Sequence, residues 1–166
     1  MRSSSSPIRP VTICRSRCER SASSANCSHC DLPEGWTNEQ DGDYLVATSK
    51  DKNIVMWILV GKEADAGEFL KAMATELDKI LTDAKLDNKD PKTEKNNDLA
   101  FTFVEGTAKL KADKFVPAGK KADDQVQWDL TLVTGGKKLM AIVTVGKLDA
   151  NEALLTKMWN SIKKKQ

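Results

Sequence analysis

His29 is the chain's only histidine. It sits between Cys27 and Cys30, with Cys14 and Cys18 upstream. Four thiolates can complete a tetrahedral zinc site, and a thiol beside an imidazole can act as a nucleophile. The spacing is loose for zinc: C-x3-C, eight residues, then C-x2-C. The eight intervening residues, ERSASSAN, include nothing apolar larger than alanine to build a small core around a metal. The expectation is therefore that Cys14, Cys18, Cys27 and Cys30 are incidental thiols, with zinc as the alternative that metal analysis would decide. A catalytic base also needs a rigid frame, and this stretch shows neither helical nor alternating apolar periodicity. No catalytic, cofactor-binding or metal-binding residue is expected.

Carboxylate pairs could do acid–base work or bind a hard cation. The pairs Asp41/Asp43, Asp87/Asp90 and Asp123/Asp124 read instead as solvated turn residues with lysines nearby. No D-x-D-x-D-G loop ending in glutamate is present for calcium. Gly61-Lys62 and Gly146-Lys147 resemble fragments of a phosphate loop. Neither has the upstream glycine or the following Ser/Thr, so both read as strand exits. Lys109, Lys111, Lys114, Lys120 and Lys121 are offset by Asp113, Asp123 and Asp124, which suits a solvated face or a protected sheet edge. Of the four tryptophans, Trp57 and Trp128 fall on the apolar phase of strands and should be core. Trp36 should plug one end of the sheet. Trp159 is either a core flank or an exposed partner anchor.

Residue usage divides the chain near residue 30. The first 30 residues hold all five arginines, all four cysteines and nine of eleven serines, while all 21 lysines follow. Ser and Arg dominate, and only Ile8, Val11 and Ile13 could enter a core, so residues 1–30 are expected to be disordered. They lack the apolar run of a signal peptide. The abrupt switch raises the hypothesis that they are not native coding sequence, or that the written start is wrong. Residues 31–166 are expected to form one α+β domain. It carries 21 Lys against 23 Asp plus Glu, which gives no electrostatic case for nucleic-acid binding. The longest apolar run, Ile54 to Val60, has strand length, so no transmembrane segment is expected.

The elements that would position any site follow from turns and periodicity. Leu32-Pro-Glu-Gly-Trp36 is a turn before an aromatic anchor. Tyr44–Ser49 and Asn53–Val60 read as a hairpin across Lys50–Lys52. An amphipathic helix is expected over 65–84, with Ala66, Leu70, Met73, Leu77, Ile80/Leu81 and Ala84 inward and Asp65 with Glu68 as a capping box. Residues 85–98 should be a loop or edge strand. Leu99–Val104 is a strand, Glu105-Gly106 a turn, and Ala108–Ala112 the next strand. Val126–Val133 and Leu139–Val145 flank a Gly135-Gly136 hairpin turn. A last helix is expected from Asp149 or Ala150 to about Lys164, with Leu154/Leu155, Met158 and Ile162 inward.

Two junctions match. Val60-Gly-Lys and Val145-Gly-Lys are each followed, with one gap, by D-A-x-E and an apolar-striped helix. The expectation is two hairpin–helix units around one antiparallel sheet of about six strands. The L-P-E-G-W start, the hairpin feeding a helix, and the C-terminal hairpin feeding a helix that ends near Asn160-Ser161-Ile162 together resemble the PsbP-like fold family. That family includes PsbP, the Ran-binding Mog proteins, DcrB-type envelope proteins and the Eag chaperones. Over residues 31–165 the resemblance implies an α/β/α sandwich with helices on both faces of the sheet. It also implies a non-enzymatic binding, adaptor or chaperone-like role with a protein or peptide partner. By analogy it implies a bacterial envelope location, whereas the written N-terminus would leave the protein in the cytoplasm. The alternative reading is a small-ligand or lipid-binding domain with an apolar pocket between sheet and helix.

Overall fold

Turn chemistry and strand alternation make sheet the dominant structure among the described residues. The computed structural model describes residues 9–12, 29–42, 44–62, 66–87, 90–111, 114–135 and 138–163. Among these, β1 (Arg9–Thr12) and β2 (His29–Leu32) form a two-stranded antiparallel ribbon, with Val11 opposite Cys30 and Thr12 opposite His29. The rest of residues 1–30, with Cys14, Cys18 and Cys27, lies outside the described residues.

The main sheet has eight strands, not about six: β3 (Thr37–Asp41), β4 (Tyr44–Thr48), β5 (Ile54–Lys62), β6 (Leu81–Leu86), β7 (Lys92–Asn96), β8 (Leu99–Leu110), β9 (Gln125–Thr134) and β10 (Lys138–Gly146). Every pairing is antiparallel, in the order β3-β4-β5-β10-β9-β8-β6, with β7 also on β8. The extra strands come from the end of the expected helix, which becomes β6, from β7 within residues 85–98, and from the segment after the Leu32–Trp36 turn. Strands β6 and β7 share one edge of β8 end to end. Leu86 pairs with Gly106, and Lys92 with Phe103. The ladder on that edge is therefore interrupted beside Val104.

Strand β8 runs unbroken through the turn expected at Glu105-Gly106. Glycine is needed there for another reason. A Cβ on Gly106 would lie 1.9 Å from the Lys85 carbonyl oxygen, so glycine permits the close approach of β6. At the other end of β8, Asn97 and Asp98 both have positive φ, 51° and 59°, as a type I′ turn between β7 and β8 requires.

Among the described residues two helices accompany the sheet: α1 (Ala66–Ile80) and α2 (Glu152–Ser161), the latter preceded by a 3-10 turn at Asp149–Asn151. Helix α1 stops four residues short of the expected end because Leu81 pairs with Leu110 and begins β6. The Lys111 backbone N–H caps the Ile80 carbonyl at 2.8 Å, and its ammonium donates to the Asp78 carbonyl. The inward stripe is Phe69, Met73 and Ile80, while Leu70 is 44% exposed and Ala84 lies exposed in β6. Asp65 lies outside the described residues. Helix α2 ends at Ser161, and Ile162 is extended and fully buried.

The matched junctions solve their geometry differently. A Cβ on Gly61 would strike the Phe69 ring at 2.3 Å. Gly146 has φ 139°, and a Cβ there would meet the Asn53 carbonyl oxygen at 2.0 Å. At α2 no side chain caps the N-terminus. Asp149 instead accepts from Gln127 Nε2 at 2.5 Å, and Gln127 Oε1 accepts the Leu148 N–H at 3.1 Å.

Strand alternation divides the buried residues into two clusters. One holds Val55, Trp57, Val143, Val145 and Trp128 with Phe69, Met73 and Ile80 of α1. The other holds Ile54, Met56, Ile58, Met140, Ile142 and Phe101 with Leu155 and Met158 of α2, and with Leu32 and Ile162. No helix among the described residues is long and apolar enough to cross a membrane.

Candidate functional site

Strand β9 carries an ionisable group where the sheet is covered. Its sequence alternates Val126, Trp128, Leu130, Leu132 on one phase and Gln127, Asp129, Thr131, Val133 on the other. Asp129 is 6% exposed. Its cross-strand neighbours are Glu105 on β8 and Thr144 on β10. Thr131 Oγ1 donates to the carboxylate oxygens at 3.2 and 3.3 Å. The Thr144 hydroxyl is buried and makes no hydrogen bond of standard geometry, though its proximity still favours the charged acid slightly. Burial dominates and pushes the Asp129 carboxyl up to about 7 from 3.8. The Thr131 and Thr144 hydroxyls pull it down, and the charge of Glu105 pushes it up.

Asp129 and the exposed Glu105 line a cleft of about 540 Å3 beside α2, at the break between β6 and β7. One wall is Phe103 and Trp159, which meet edge to face with ring centroids 5.4 Å apart at 69°. Trp159 is half-buried, and its indole Nε1 has no hydrogen-bond acceptor among the described residues. The rim includes Leu86, which is 55% exposed, and Pro91. Glu152 and Asp149 stand at the start of α2, and Asp90, Lys92 and Glu94 on the opposite side. Lys92 pairs with Glu94 at 2.9 Å. The far end of α2 is tied to the β7–β8 turn. Asn96 Nδ2 donates to Asn160 Oδ1 at 2.7 Å, and Asn97 Nδ2 donates to the Asn160 and Ile162 carbonyls at 3.1 Å each. These bonds fix Trp159 against β8.

A second cavity, about 750 Å3, lies between α1 and the other phase of the sheet. Tyr44, Trp57, Leu59, Phe69, Met73 and Leu77 line it, with Asp41, Glu68 and Glu76 at its edge.

The residues singled out in the sequence are mostly scattered. His29 and Cys30 lie on β2. Asp43 lies outside the described residues, and Asp41 ends β3. Asp87 follows β6, where its N–H reaches the Glu105 carbonyl at 3.0 Å, and Asp90 joins the α2 cleft. Asp124 accepts the Lys121 N–H at 3.0 Å within a turn. Lys109 pairs with Asp83 at 2.8 Å, Lys114 with Glu39, and Lys120 Nζ reaches the Gln125 carbonyl at 3.0 Å. Trp57 and Trp128 are core, and Trp36 is half-buried against the α2-side cluster. Among the described residues no group of His, Cys, Asp and Glu could hold a metal ion. Sequence reasoning missed Asp129, Glu105 and Phe103. The available signal was an aspartate in mid-strand between Trp128 and Leu130.

No protein-family model matches the chain, and no curated protein matches it in sequence. Among solved structures it is similar to cyanobacterial PsbP (CyanoP) from Synechocystis sp. PCC 6803. The TM-score is 0.54 and the identity 11%, over 95% of this chain and 92% of that one. The chain has a PsbP-like fold.

Proposed function

We propose that the protein is a non-enzymatic binding module that seats a protein or peptide in the cleft beside α2, on a sheet with one helix against each face. The cleft itself carries this reading: an open groove with an aromatic wall, an exposed leucine at its rim and a buried acid in its lining. Such mixtures of apolar wall and few convergent polar groups favour ligand sites. The likeness to PsbP supports a binding role by analogy of fold alone.

A small-ligand or lipid-binding role is the second reading, favoured by the larger cavity under α1, where Trp57, Leu59, Phe69 and Met73 supply apolar surface. Backbone 15N shift mapping of the full chain separates the two, using a panel of short basic, acidic, neutral and apolar peptides together with a fatty acid. Shifts clustered on Phe103, Glu105 and α2 with any peptide support the proposal. Shifts confined to α1 and Tyr44, or none at the α2 cleft with every probe, overturn it.

A further inference from the structure

From the charge and shape of the α2 cleft we infer that it receives a lysine or arginine side chain of a partner polypeptide, flanked by apolar residues. This rests on the reading of that cleft as the binding surface. Six of its lining residues are acidic (Asp90, Glu94, Glu105, Asp129, Asp149 and Glu152) and one, Lys92, is basic. Lys92 already pairs with Glu94. The remaining acids come from four places in the fold: β8, β9, the start of α2 and the segment before β7.

Carboxylates alone would make only a solvated acidic surface, but two further observations point to an occupant. The Asp129 carboxyl is more than nine-tenths buried, lines the cleft, and among the described residues meets hydroxyls with no cation beside it. A buried acid in that setting is costly to ionise until a positive group reaches it. Trp159 also lines the cleft, held edge to face on Phe103, and its buried indole N–H has no acceptor among the described residues.

The aromatic wall suits the same ligand. The Phe103–Trp159 corner offers ring faces to the alkyl stem of a lysine or to a guanidinium plane. Leu86 and Pro91 at the mouth offer apolar surface to the flanking residues. A free polyamine would use the acids and leave that apolar rim idle, so the cleft favours a polypeptide.

Binding should strengthen as pH rises through 7, because Asp129 then loses its proton. The charged groups around it are Glu105 on β8, Asp149 and Glu152 at the start of α2, Lys92 and Glu94 on β7, and Asp90. Thr131 and Thr144 are its hydroxyl neighbours.

The test is fluorescence anisotropy of the full chain at pH 8 and low salt with three labelled peptides: Gly-Leu-Lys-Leu-Gly and its Gln- and Glu-centred versions. The lysine peptide should bind at least tenfold more tightly than either. The Glu105→Gln/Glu152→Gln double variant should lose at least tenfold in affinity. The Glu34→Gln variant, altered in the exposed turn before β3, should lose none. Asp129→Asn should remove the gain in affinity between pH 6 and pH 8. Equal binding of the lysine and glutamine peptides overturns the charge assignment while leaving the cleft as a binding surface. No lysine-peptide binding at 1 mM, or binding unchanged in the double variant, overturns the inference outright. Spermidine binding without lysine-peptide binding overturns the polypeptide assignment.

Discussion

Replacing Asp129 by asparagine should flatten one section of the protein's stability–pH curve. The carboxyl is buried, and its folded value of about 7 lies above the 3.8 of the exposed acid. Below pH 3.8 the group is protonated in both states and contributes no pH dependence. Between about 4 and 7 the unfolded chain releases the proton while the folded one keeps it. The unfolded state is thereby favoured, and stability falls as pH rises. Above 7 both states are charged and the loss is complete. The span is roughly three pH units at about 1.4 kcal/mol each, so the full loss is about 4 kcal/mol, a large share of a typical stability of about 5–15 kcal/mol. Asparagine keeps an oxygen to accept from Thr131 and has no proton to release. Urea unfolding at pH 4, 5, 6, 7 and 8 would follow both proteins. The variant should match the wild type within about 1 kcal/mol at pH 4 and exceed it by several kcal/mol at pH 8. Parallel curves for the two proteins across pH 4–8 would refute the burial argument.

Other outcomes follow from packing. Gly106→Ala should cost at least about 2 kcal/mol in urea midpoint analysis, because its Cβ would meet a backbone oxygen and not a yielding side chain. Ile142→Val, at a fully buried position in the α2-side cluster, should cost about 1 kcal/mol and Ile142→Ala about 2–5 kcal/mol in the same assay. Gly61→Ala should push against the Phe69 ring, so combining it with Phe69→Leu should destabilise by at least about 0.5 kcal/mol less than the sum of the two single changes. A purely additive pair would mean that α1 shifts without the ring being the obstacle.

Hairpins were the most legible part of the sequence. The strands on either side of Lys50–Lys52 pair as β4 and β5, and those on either side of Gly135 as β9 and β10, because local turn chemistry and period-two alternation agree there. The helices were legible in kind but not in length. The end of α1 is set by the long-range pairing of Leu81 with Leu110, which no local pattern announces. Gly106 reads as a turn residue, yet its role is a close contact between strands distant in sequence. The Asp-Glu motif before α2 reads as a cap, but Asp149 is taken by Gln127 from a neighbouring strand.

The cleft was illegible for a related reason. On β9 the phase Gln127, Asp129, Thr131 looks like a solvent face, and the opposite phase looks like the core. Both are covered, since Trp128 packs in the α1-side cluster while Asp129 and Thr131 are buried on the side of α2. Only the fold shows that Asp129, Glu105 and Phe103 meet Trp159, which lies some 30 residues beyond Asp129 in sequence. Trp159 was the one member whose double character, core flank or anchor, could be read from its place at the edge of a helical stripe.

The four indole N–H resonances of the full chain test the central claim most directly, because Trp159 lines the α2 cleft and Trp57 the α1 cavity. On adding the Gly-Leu-Lys-Leu-Gly peptide at pH 8, the Trp159 indole signal should move saturably while those of Trp57 and Trp128 stay in place. A Trp159 signal that does not move, or movement at Trp57 alone, would contradict the assignment of the α2 cleft as the binding surface.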